Sequence, residues 1–78
     1  MIEQVVAAFD RKDYTAAGEL LKQLLQESPH NPWLQFYVGR LHEVSDKLEA
    51  AETVYRQLLR ETTNAKIVAQ ARQGLQRL

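Results

Sequence analysis

The chain has 78 residues, no cysteine, and ten Lys/Arg against ten Asp/Glu, for a formal net charge of zero. Its length admits one small domain, the lack of cysteine removes disulfide frameworks and thiolate metal sites, and the charge balance argues against a dedicated nucleic-acid binder, whose affinity is mostly phosphate neutralisation. The longest apolar run, Val5 to Phe9, is too short to span a bilayer and no basic leader precedes an apolar core, so a cytoplasmic chain without membrane insertion is expected.

A first helix is predicted near residues 2–11. Asp13 can cap a second over 14–27, whose apolar stripe is Ala17, Leu20, Leu21, Leu24 and Leu25. Ser28-Pro29-His30 breaks the chain, and Asn31-Pro32 then supplies an N-cap followed by proline at the first helical position. The third helix, 32–44, places Leu34, Val38 and Leu41 at i, i+4, i+7, which assigns them to the core. Asp46 with Glu49 three residues later resembles a capping box for a fourth helix, 47–61, with Ala51, Val54, Tyr55, Leu58 and Leu59 on its apolar face. Asn64 can cap a fifth, 65–77. The loops are short, so consecutive helices are expected to pack antiparallel.

The chain also repeats itself. At an offset of 34 residues Ala16 and Ala17 fall on Ala50 and Ala51, Gln23-Leu24-Leu25 on Gln57-Leu58-Leu59, and Glu27 on Glu61. The same offset carries Trp33, Leu34, Tyr37, Leu41 and Val44 onto Ile67, Val68, Ala71, Leu75 and Leu78, apolar on both sides. Two repeats of two helices and the first helix of a third follow.

A 34-residue helix–turn–helix period with small and aromatic positions at fixed spacing resembles the tetratricopeptide repeat. Residues 32–65 carry it best, in Val38-Gly39, His42, Ala51-x-x-x-Tyr55 and Leu58; the first unit carries Ala8, Ala17-x-x-x-Leu21, Leu24 and Pro29. Arg11-Lys12-Asp13-Tyr14 is similar to the family's Gly-Asp-Tyr turn, with Lys12 in place of glycine. Departures are Val5 at a usually small position, His42 at a usual tyrosine, Thr63 at a usual proline, and Gln35 at the usual tryptophan. The resemblance implies an all-α, right-handed helical-hairpin solenoid in a single domain, 1–78: repeat 1 about 1–31, repeat 2 about 32–65, and a capping helix about 66–78. Gly39 is expected where helices 3 and 4 come closest, because a Cβ there would push them apart.

Little in the chain suggests catalysis. His30 sits in a turn and His42 in a helix, neither with a partner at metal-ligand spacing; Gly18, Gly39 and Gly74 are isolated and form no phosphate loop. No enzyme activity, cofactor or metal is expected. One feature stands above the scaffold: Trp33, Phe36, Tyr37 and Arg40 recur at i, i+3, i+4, i+7 on the third helix. In the resembled family the first helix of each pair lines a concave groove. Carried over, this stripe faces that groove, flanked by Val6 and Phe9 of the first helix and Ile67 and Gln70 of the fifth. Trp, Tyr and Arg are enriched at binding hot spots; the alternative is that these aromatics complete a small core. Some family members clamp acidic C-terminal tails with Lys, Asn and Arg, but the matching positions here, Ile2, Val6, Tyr37, Ile67 and Ala71, are neither basic nor amide. The function expected is a non-catalytic module that binds a peptide or helix of a partner protein. The alternative is a structural self-assembly unit, a possible homo-oligomer joined through the aromatic stripe or the repeat ends. Residues 1–55 carry five basic and nine acidic groups and residues 56–78 five basic and one acidic, which is either ordinary solvated helix faces or a dipole whose ends attract head to tail.

Overall fold

In the computed structural model, which describes residues 2–78, five helices follow one another: α1 (Ile2–Asp10), α2 (Tyr14–Glu27), α3 (Pro32–Val44), α4 (Leu48–Glu61) and α5 (Ala65–Arg77). Met1, the first residue of the expected first repeat, lies outside the described residues. The chain is all-α, an array of helical hairpins in which each helix packs on the next and α3 also meets α5. None of the described helices is long and apolar enough to cross a membrane.

Side-chain caps set three of the starts. Asp13 accepts from the Ala16 amide at 3.2 Å, Asn31 from Trp33 at 2.9 Å, and Asn64 from Lys66 at 3.0 Å and Ile67 at 3.3 Å. Each bond satisfies an amide that a helix start leaves without an internal partner. The fourth start corrects the sequence reading. Asp46 does not cap α4; Lys47 occupies the N-cap without a side-chain bond. The turn demands a left-handed residue just before the cap, and Asp46 fills that place at φ 64°, as Lys12 does at φ 59° in the turn 34 residues earlier. Lys12 thus holds the conformation for which glycine is best suited.

The apolar stripes close on two clusters with α3 between them. Val5, Leu21 and Leu34 form the first, backed by Ile2, Phe9, Leu20, Leu24, Leu25, Val38 and Leu41. Phe36, Ala51, Tyr55, Leu58, Ile67 and Ala71 form the second. Tyr37 packs against both. Gly39 lies where α3 meets α4, as the sequence implied: a Cβ there would stand 2.7 Å from Tyr55 Cε1. Gly74 of α5 meets the other edge of the same ring, where a Cβ would stand 2.5 Å from Cε2. Tyr55, fully buried, is therefore held between two glycines on two helices.

Candidate interaction face

Because α3 is central, its turns cannot all point the same way. Phe36, one of the four stripe residues, is turned into the second cluster with 4% exposure and lies 6.0 Å from the Tyr55 ring. Ile67, expected to flank the groove, is fully buried in that cluster. Both belong to the core rather than the surface, because α3, α4 and α5 pack on one another and enclose them with Ala51, Tyr55 and Leu58. Trp33, Tyr37 and Arg40 remain partly exposed, Phe9 is half-buried, and Val6 and Gln70 are exposed.

The structure brings four of these eight residues, Phe9, Trp33, Phe36 and Tyr37, into one run of rings with Tyr14. Phe9 of α1 lies 5.5 Å from Tyr37 and 5.6 Å from Tyr14; Tyr37 lies 5.2 Å edge-on from Phe36, and Phe36 6.3 Å edge-on from Trp33. Such tilted and edge-to-face pairs add to the area they bury. The run ties α1 to α3, and α5 adjoins α3 beyond it. Val6 and Asp10 are exposed on α1, one turn apart, and Val6 has the partly buried Ile2 and Phe9 as its other neighbours at helical spacing.

A polar cluster closes the C-terminal end of this face. Tyr55 donates its hydroxyl to Glu43 Oε1 at 2.8 Å. Arg77 of α5 grips the same carboxylate with two bonds, Nε to Oε2 at 2.8 Å and Nη2 to Oε1 at 3.1 Å. Burial disfavours the charged form of Glu43, but the bonds from Arg77 and Tyr55 and the charges of Arg77 and Arg40 outweigh it and hold its pKa below the ordinary value. Burial raises the Tyr55 hydroxyl, and its bond to Glu43 raises it further. Arg77 is raised chiefly by its bond to Glu43. Arg40 stands apart: its Nη1 is 3.9 Å from Glu43 Oε2, within ion-pair reach but outside hydrogen-bond distance. Burial raises the Tyr37 hydroxyl; the charge of Arg40 opposes that shift and the charge of Asp10 adds to it.

Sequence reasoning missed Glu43 and Arg77. The signal was present, since the two lie one repeat period apart with opposite charge on consecutive first helices of the hairpins. It also missed the concave features. A recess of about 200 Å³ opens beside Trp33, between Ile2, Leu24 and Leu34, with Glu27, Ser28 and Asn31 completing it. A larger recess, about 600 Å³, lies elsewhere, between the α2–α3 turn and α4, where Pro29, His30 and Pro32 face Val54, Leu58 and Glu61. It includes none of the eight residues expected to bind a partner. Among the described residues, no three His, Cys, Asp or Glu side chains gather where a metal ion could be held.

A family model for the tetratricopeptide repeat matches residues 8–78. No curated protein and no solved structure matches the chain significantly.

Proposed function

Because the chain belongs to the tetratricopeptide-repeat family, we propose that it is a non-catalytic interaction module that holds a peptide or helix of a partner protein on the face made by α1, α3 and α5. Domains of this family generally mediate protein–protein interaction and generally carry no catalysis of their own. The observation that supports this face is the partial exposure of Trp33 and Tyr37, next to the core yet not enclosed by it, with Val6 exposed at 36% on α1. Large rigid aromatics bury much area at little cost in side-chain entropy, and Arg40 adds a directional donor set. The contact set is Val6, Phe9, Trp33, Tyr37, Arg40 and Gln70, with Phe36 and Ile67 supporting it from beneath. The setting proposed is the cytoplasm, without cofactor or nucleic acid.

Panning a random peptide library on the 78-residue chain tests this reading. Selected peptides should lose about 2 kcal/mol of binding, roughly thirtyfold, on Trp33→Ala and on Val6→Asp, with helical circular dichroism unchanged. Peptides that bind both variants as well as wild type would remove the face from the reading. The second reading, self-assembly, draws on the charge difference between residues 1–55 and 56–78. Sedimentation at two concentrations and two salt levels separates it: a mass that rises with concentration and falls with salt favours assembly over peptide binding.

A further inference from the structure

We infer that the segment this face takes is extended and carries a large apolar side chain and an acidic side chain three residues apart, the first seated in the recess beside Trp33 and the second on Arg40. The inference rests on the peptide-binding reading of the α1–α3–α5 face and adds the chemistry and spacing of what binds there.

The two ends of the face differ in kind. At the Trp33 end the recess of about 200 Å³ is walled by Ile2, Leu24, Trp33 and Leu34. It is smaller than the roughly 300–1,000 Å³ that suits a whole small molecule, so it suits a single side chain. Glu27 belongs to that recess and disfavours an anion there. At the other end stands Arg40, whose only carboxylate neighbour within ion-pair reach among the described residues is already engaged. Both oxygens of Glu43 take hydrogen bonds from Tyr55 or Arg77, and Arg40 stays at 3.9 Å with its side chain 31% exposed. Its guanidinium therefore keeps its strongest donors for a group from outside, and a carboxylate matches that fork best.

The helix itself is the ruler. Trp33 and Arg40 are seven residues apart on α3, or about 10.5 Å at 1.5 Å per residue. An extended chain covers about 10 Å in three residues. An incoming helix, about 10–12 Å across, needs a valley between the helices of the face. Between α1 and α3 that valley is bridged by Phe9 and Tyr37, whose rings are 5.5 Å apart. An extended segment lies across such a shallow surface without one.

The probe is a random dodecapeptide display library panned in parallel on wild type, Arg40→Glu and Arg40→Gln, each first shown to be helical. Wild type should select a large apolar residue and an Asp or Glu three positions apart. Arg40→Glu should replace the acid with Lys or Arg at the same position, and Arg40→Gln should select neither charge, which covers the case that Glu beside Glu43 prevents folding. A synthetic peptide from the wild-type selection should bind Arg40→Gln at least tenfold more weakly. An acid at no fixed distance from the apolar residue, a spacing of seven, or an unchanged consensus on both variants would overturn the inference. If the peptides keep an apolar anchor and need Trp33 but show no acid, the two-point reading fails and the peptide-binding face stands. If no selected peptide needs Trp33, the face reading itself fails.

Discussion

The α1–α2 and α3–α4 hairpins solve the same packing problem with different side chains. In the first, Val5 and Leu21 share a buried cluster; 34 residues later the same two places hold Gly39 and Tyr55. One pair divides the volume evenly, and the other gives it all to one partner. Close-packed interiors constrain total volume more tightly than identity, so both fill the space. The consequences differ. A tyrosine brings a hydroxyl into the core, and a buried hydroxyl needs an acceptor. Glu43 supplies it, and the same carboxylate holds Arg77, so the second hairpin is tied to α5 by a polar cluster. The first hairpin's cluster is hydrocarbon in character, but it has the better helix start, with Asp13 capping α2 where Lys47 leaves α4 uncapped.

The strongest way to break the comparison is to swap the pairs. Gly39→Val should overpack the Tyr55 ring and Tyr55→Leu should leave a void beside Gly74, each costing on the order of 2–4 kcal/mol. Combined, Gly39→Val with Tyr55→Leu should cost less than the sum by about 1–2 kcal/mol, because the new pair repeats the Val5–Leu21 solution. Urea denaturation of all four chains measures this, and strict additivity would show that the two positions do not share one space.

A milder test keeps the ring and removes its hydroxyl. Tyr55→Phe should cost roughly 1–2 kcal/mol near neutral pH, as a bond to a charged acceptor is lost. Glu43 has its pKa lowered in the folded state, so its contribution is present above the ordinary value of 4.5 and is lost as pH falls through the folded value. The difference between wild type and Tyr55→Phe should therefore narrow in acid. A gap that stays constant from pH 7 to pH 3 would place the cost in packing alone.

The smallest effect sharpens the other half of the comparison. Lys47→Asp gives α4 the cap that Asp13 gives α2, at the equivalent position. It should raise stability by about 1 kcal/mol, read from the shift in urea midpoint. No gain would mean that the α3–α4 turn holds residue 47 out of capping reach.

Of the caps, Asp13, Asn31 and Asn64 were legible because each precedes its helix with a side chain that reaches the free amides. Asp46 misled because the same short acidic side chain suits both a cap and a left-handed turn residue, and only the backbone path decides which. The matched position Lys12 held a hint, since it stands where the family's turn has glycine. The binding stripe was legible in part. Spacing on α3 put Trp33, Phe36, Tyr37 and Arg40 on one side, but that side is wide, and its Phe36 edge lies under α5.

By itself the sequence determined the five helices, their hairpin order and the glycine at the α3–α4 contact. These follow from local signals, namely apolar period, capping residues, proline position and a 34-residue self-match, all carried by residues close together in the chain. Only the tertiary structure decided which aromatics on α3 are covered and which remain accessible, and that Glu43 hydrogen-bonds Tyr55 and Arg77 while Arg40 stays at ion-pair distance. Those outcomes depend on where α5 comes to rest against α3 and α4. Burial and hydrogen bonding are properties of neighbours brought together by folding, and periodicity along one helix says nothing about which neighbour arrives on which side.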